Sequence, residues 1–180
     1  MSAQPLQNEN ITSDYPTLPD DMQRYHLQEL LRDIGPMIGL SDARRHILEV
    51  MIGMTAPKDW IDPTRDAICY AAQTLVAEKA HRTTKAIRSA ETAFVAAGLI
   101  VKTVADNGHR GIYAKGAVIH GLSFAPLIER VKELLAIKHA QDAARLQRAA
   151  LRRQCSAARR VLRLALMELL KTAPIDPITT

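Results

Sequence analysis

Apolar residues in the first third of the chain recur at spacings of three and four, the period of a helix with one buried face. From Met22 to Ile34 the run Tyr25, Leu27, Leu30, Leu31 and Ile34 predicts a first helix. Gly35-Pro36 interrupts it. Ser41-Asp42 then supplies a cap for a second helix over Ala43 to Met54, with Ile47, Leu48, Met51 and Ile52 inward. Pro57 to Pro63 reads as a linker that Trp60 anchors to the core, and Ile68-Cys69-Tyr70 as a short strand. The first residues (1–20), with Pro5, Pro16 and Pro19 among many polar neighbours, are expected to be a mobile tail.

The next stretch carries the functional signal. Ala71 to Lys79 has Ala72, Leu75, Val76 and the stem of Lys79 at helical spacing, which predicts a short helix buried along that side. Ala80-His81-Arg82 follows as a tight turn, and His is among the residues that tolerate a left-handed backbone. Thr83 is placed to cap a longer helix. In that helix Ile87, Ala90, Phe94 and Ala97 fall on one side and Lys85, Arg88 and Thr92 on another, so one side packs and the other is free to meet a ligand. Gly98 is the stop signal.

Strand-like residues come next, Leu99 to Val104 and Arg110 to Lys115, separated by Asp106-Asn107-Gly108-His109. Asn-Gly accepts the positive φ angles of a two-residue hairpin turn, so the two segments are expected to pair as a wing with this turn at its tip. Helix, turn, helix and wing in this order predict a winged helix-turn-helix domain over residues 21–125. DNA binding is the function such a domain implies. The residues expected to touch DNA are Thr83, Thr84, Lys85, Arg88, Ser89 and Thr92 on the second helix, and Lys102, Asn107, His109, Arg110 and Lys115 on the wing.

After a glycine-rich passage from Gly116 to Gly121, a helix opened by Pro126 runs to about Lys171 without Gly or Pro inside it. Steps of three and four from Leu127 reach thirteen positions, of which ten are apolar, among them Leu151, Cys155, Ala158, Leu162, Ala165 and Leu169. That pattern fits a coiled-coil seam and hence a homodimer through residues 126–171, with folding back onto the domain as the alternative. Arg145, Arg148, Arg152, Arg153, Arg159, Arg160 and Arg163 make this helix arginine-rich, and a solvated face is their simplest reading, contact with phosphates the other. A short tail (172–180) ends the chain. The fold class is thus mainly α with a small β-wing and a long C-terminal helix.

Composition narrows the partner. The 180 residues are 47% hydrophobic but only 4% aromatic, a globular chain with an aliphatic, largely helical core. Basic and acidic side chains number six against eleven in residues 1–66, seven against three in 67–115, and eleven against five in 116–180. The cations therefore gather on the proposed reading head and the helix after it, as a polyanion binder requires. No apolar run is long enough for a membrane span, and the start of the chain has neither the basic residues nor the apolar run of a signal peptide. Cys69 and Cys155 lie far apart and read as small buried residues in a reducing cytoplasm.

From about Leu27 to Leu135 the chain resembles the N-terminal part of the RepC-type plasmid replication initiators. The resemblance rests on Leu30-Leu31 through Gly39-Leu40, on Asp59-Trp60, and on Leu75, Thr83, Ile87-Arg88, Glu91, Phe94 and Ala97-Gly98-Leu99-Ile100. Its more specific part is Asn107-Gly108-His109-Arg110 followed by Gly121-Leu122-Ser123-Phe124-Ala125-Pro126-Leu127. The chain departs from the family at His81, where a turn glycine is usual, and at Ser89-Ala90, where members are more basic. The resemblance implies a protein that binds double-stranded DNA at a plasmid origin and recruits host replication proteins, in a family whose initiators are longer than this chain. A transcriptional regulator and a protein-interaction adaptor without DNA binding are the alternatives.

Enzymatic readings are weaker. Gly121-Leu122-Ser123-Phe124-Ala125 has the spacing of a nucleophile elbow but lacks the large α/β sheet that motif needs. His46 and Glu49 share a helix face without a third ligand, which reads as a surface pair rather than a metal site. No phosphate-binding loop is present. Neither an enzyme nor a cofactor is expected.

Overall fold

A computed structural model of the chain describes residues 14–103, 110–113 and 118–172, with the backbone alone at residues 112, 113, 118 and 119. The expected turn at Asn107-Gly108, the residues 1–13 and 173–180 of the two tails, and the site candidates Asn107, His109 and Lys115 lie outside these. The chain is mainly helical, with a small antiparallel sheet and a long C-terminal helix. It divides into two compact units, residues 1–136 and 137–180.

In the first unit α1 (Arg24–Ile34) buries Leu27, Leu30, Leu31 and Ile34, while Tyr25 stays exposed. A 3-10 turn at Gly35–Ile38 follows, where Pro36 prevents α1 from continuing. Helix α2 (Asp42–Gly53) is capped by Ser41, whose Oγ accepts the Arg44 amide, and buries the four residues its spacing predicts. At its other end Arg24 donates from Nη1 to the carbonyls of Ile52, Gly53 and Thr55, a cation on free C-terminal carbonyls. Glu49 pairs with Arg45 at 2.7 Å and Arg32 at 3.8 Å rather than with His46.

Trp60 is fully buried, as its linker position predicts. It stacks on Phe124 with ring centroids 5.3 Å apart and donates to Thr55 Oγ1, which in turn donates a hydrogen bond to Ile52 O. Part of the expected N-terminal tail is tied to this loop: Tyr15 N donates to Pro63 O, Leu18 N to Trp60 O, and Leu18 is buried.

The helix pair α3 (Gln73–Lys79) and α4 (Thr84–Ala96) forms where expected. The buried side of α3 is Val76, Ala77 and Ala80, not Ala72, Leu75 and Lys79, which are exposed. Small side chains let α3 lie close to α4, and Leu75 is displaced outward. His81 adopts φ 51°, and the amides of His81 and Arg82 bond back to Glu78 O and Ala77 O, closing α3 in a left-handed cap. Gly98, at φ 62°, ends α4 in the same way, which leaves Ala97 exposed rather than packed.

The sheet departs from the expected hairpin. Strand β1 (Ile68–Cys69), β2 (Val101–Thr103) and β3 (Gly111–Tyr113) all pair antiparallel with β4 (Val118–Ser123), in the passage read as a glycine-rich linker. Thr103 faces Gly121 and Gly111 faces His120, so the chain advances eight residues while β4 advances one. The two segments expected to pair with each other instead share β4. Gly121 is required there: a Cβ would lie 2.6 Å from Cys69 O and from the Ile68 side chain.

The C-terminal helix is also divided. Pro126 opens α5 (Ala125–Glu129), and α6 (Val131–Thr172) begins one residue later. At the junction Arg130 donates to Ala97 O at 2.8 Å, covering a free carbonyl of α4, and pairs with Glu133. Leu127, Ile128, Val131 and Leu134 complete the core, so the first unit extends past residue 125. In the second unit every residue from 151 to 172 is exposed, Cys155 included. Cys69 is buried, and burial pushes its thiol pKa up. Among the described residues no helix is long and apolar enough to cross a membrane.

Candidate nucleic-acid interface

The outward side of α4 and the neighbouring part of the sheet form one surface. Thr83 caps the helix, its Oγ1 accepting the Ala86 amide at 3.2 Å. Thr84 is half-buried, and Lys85, Arg88, Ser89 and Thr92 are exposed along the next two turns. A groove between α4, the start of α3 and β2 is lined by Thr84, Arg88, Thr92, Lys102 and Arg110 from the expected set. Gln73, Thr74 and Glu91 join them there. Lys85 and Ser89 lie outside the groove on the free side of the helix, and Lys102 is exposed on β2.

Arg110 is placed differently from the expectation. Its side chain is only 6% exposed, and Nη2 meets Glu91 Oε2 at 2.6 Å. The cause is Glu91, four residues after Ile87 and three before Phe94 on the buried side of α4. A carboxylate in that position requires a cation. Arg110 therefore serves as the counter-ion of Glu91, not as an outward phosphate contact.

Glu91 also accepts from Gln73 Nε2 at 2.8 Å, and Gln73 Oε1 accepts from Arg88 Nε at 3.0 Å. The result is a relay, Arg110 to Glu91 to Gln73 to Arg88, running from the sheet side to the exposed face of the helix. It aims the Arg88 guanidinium while leaving its terminal nitrogens free of the relay. Thr92 Oγ1 donates to Arg88 O, fixing that neighbour as well. Glu91, whose charge would repel phosphates if exposed, is buried and neutralised. Glu91 Oε1 and Arg110 Nη1 have no hydrogen-bond partner among the described residues.

Sequence reasoning missed Gln73 and Glu91. The signal for Glu91 was available: an acid at an apolar position of the helix must find a cation. For Gln73 no sequence signal existed, since its role depends on how α3 meets α4.

The nucleophile-elbow spacing has a structural explanation. Ser123 is buried, its Oγ donates to Asp66 Oδ1 at 2.7 Å and accepts the Ala125 amide at 3.1 Å, so it ties β4 to the loop before β1 and caps α5. Burial pushes the Asp66 carboxyl above its usual pKa, against the lowering effect of the Ser123 hydrogen bond.

The model of the replication protein C N-terminal domain family matches residues 1–170. This chain belongs to that family. Membership agrees with the resemblance to plasmid replication initiators drawn from the sequence. Searches of curated proteins and of solved structures found no match.

Proposed function

We propose that this chain is a sequence-specific duplex-DNA-binding protein that binds a plasmid origin to start replication. In this reading α3 and α4 form a helix-turn-helix, α4 enters the major groove, and β2, β3 and β4 form the wing beside it. The observation that carries it is the exposed face of α4. Lys85, Arg88, Ser89 and Thr92 present only donors and hydroxyls there, and the one acid of the helix is buried and neutralised. Arg88 and Lys85 reach base edges, and Lys102 is an exposed cation on the strand side for backbone phosphates. The family supports a replication role over the regulator and adaptor readings. The reading includes no catalysis and no cofactor, action in the cytoplasm, recruitment of host replication proteins, and pairing of two copies through α6.

Footprinting on plasmid DNA tests the proposal, with protection expected at the replication origin; protection confined to a promoter would make the protein a regulator instead. Arg88→Ala should weaken binding to the protected site by about 1 to 3 kcal/mol more than binding to random duplex. Equal losses on the two DNAs would remove Arg88 from base recognition.

A further inference from the structure

The charge pattern of α6 changes abruptly along its length. Around its start the signs mix, through Arg130, Lys132, Glu133, Lys138 and Asp142, as on an ordinary solvated helix. From residue 143 to 167 there is no acid and no lysine, and there are seven arginines. All seven are exposed. The nearest acids on either side are engaged elsewhere, Asp142 with Lys138 at 3.4 Å and Glu168 with Lys171 at 3.5 Å. No arginine of this segment has an ion pair among the described residues.

Five of the seven align. At 3.6 residues per turn Arg145, Arg148, Arg152, Arg159 and Arg163 fall within an arc of about 60°. Over eighteen residues the row is roughly 27 Å long. Arg148 with Arg152, and Arg159 with Arg163, are like charges four apart, which destabilises a free helix. A polyanion lying along the row would offset that repulsion.

We propose that this row is a second contact for duplex DNA, lying along the phosphate backbone and reading no base. The inference rests on the DNA-binding reading above. The planar guanidinium binds phosphate oxygens in pairs, whereas an ammonium is a point charge, which accounts for seven arginines and no lysine. Each strand of duplex DNA carries one charge per about 3.4 Å of axis, so a row of this length spans about eight phosphates of one strand. Within the row no large apolar or aromatic residue interrupts the arginines, as an anchor for an acidic protein would. The apolar seam of Leu151, Cys155, Ala158, Leu162 and Leu169 lies on the adjacent side of the helix.

The test uses the full chain and the triple variant Arg145→Gln, Arg152→Gln, Arg159→Gln, whose glutamines favour the helix as arginine does. Binding is measured by anisotropy against salt concentration on a random-sequence 30-base-pair duplex and on the origin fragment. The variant should bind both DNAs more weakly by the same factor. Its slope of log affinity against log salt should be shallower by about 2.7, at about 0.9 per lost phosphate contact. The corresponding triple lysine variant should keep the slope. An unchanged slope and affinity in the glutamine variant, with the unaltered chain still preferring the origin, overturns the arm contact and leaves the α4 reading standing. If the unaltered chain binds no duplex at any salt, both fall. Tighter binding of polyglutamate than of duplex, lost in the triple variant, would reassign the row to an acidic protein.

Discussion

The head, residues 14–136, and the arm that follows it treat charge in opposite ways. In the head, charged side chains that leave the surface are matched: Arg110 with Glu91, Arg24 with the end of α2, Arg130 with the end of α4. Arg88, which remains at the surface, is aimed by half-buried Gln73, itself held by buried Glu91. In the arm seven arginines stand exposed without an acid among residues 143–167, and none of the described residues beyond 150 is buried. The head holds its surface arginine through side-chain contacts of its own. The arm carries composition and periodicity on a single helix.

This contrast is sharpest in what substitutions do to unfolding of the chain, measured in denaturant. The largest loss is expected for Glu91→Leu, which leaves the Arg110 guanidinium buried without its counter-ion. Breaking one side of such a pair costs about 3 to 5 kcal/mol. Arg110→Met should cost a similar amount, and the double variant should recover most of it, because no charge then remains buried. If Arg110→Met changes stability by less than about 0.5 kcal/mol but lowers DNA affinity, Arg110 faces outward after all and the head is less braced than the relay implies.

Next in size is Gly121→Ala. The added methyl would meet Cys69 O and Ile68 at 2.6 Å, so β1 must move away from β4. Forced overpacking of this kind costs about 1 to 3 kcal/mol. Exchange of the amides in β1 should rise selectively; uniform exchange across the head would place the cost elsewhere.

A gain, smaller than either loss, is expected at the turn. His81 holds φ 51° without the freedom of glycine. His81→Gly relieves the left-handed penalty but frees the unfolded chain, for a net stabilisation of about 0.5 to 1 kcal/mol. A destabilised variant would mean that the imidazole contributes packing worth more than the backbone strain.

These sites mark how far the sequence could be read. The helices were legible because Leu27 to Ile34, Ile47 to Ile52 and Ile87 to Phe94 keep one apolar period. The turn was legible because His81 sits between a helix and a threonine cap. The inward side of α3 was not, since alanine carries no direction by itself: Ala77 and Ala80 are buried by their closeness to α4, and Leu75 is left out. The sheet failed for a related reason. Gly121 reads as a loop residue, yet it is glycine because another strand's backbone occupies the place of its side chain. Asn107-Gly108 suggested a hairpin between segments that instead share β4. At the site, periodicity put Lys85, Arg88 and Thr92 on the outward side of α4, where they are exposed, while Thr83 was read as the cap and Lys102 from the strand that follows. The counter-ion role of Arg110 was not, because pairing with Glu91 brings together residues nineteen apart.

The smallest effect on unfolding belongs to the arm. Leu162 is 64% exposed, so Leu162→Asp removes no buried contact from the described chain and should change its unfolding by less than about 0.5 kcal/mol. Its effect on association should be large. Leu151, Cys155, Ala158, Leu162, Ala165 and Leu169 keep a repeat of seven, and on pairing, Leu162 enters a desolvated seam where a carboxylate is costly. In a parallel pair this register sets Arg152 and Arg159 against Gln147 and Gln154 and only Arg148 against its own copy, whereas an antiparallel pair would set arginine rows against each other. Parallel dimers are therefore expected for the unaltered chain at tens of micromolar, and monomers for Leu162→Asp, by sedimentation equilibrium. On DNA the variant should lose affinity for two adjacent half-sites while keeping that for one. A monomeric unaltered chain would sink the pairing, and the arginine row would then have to hold DNA from a single arm.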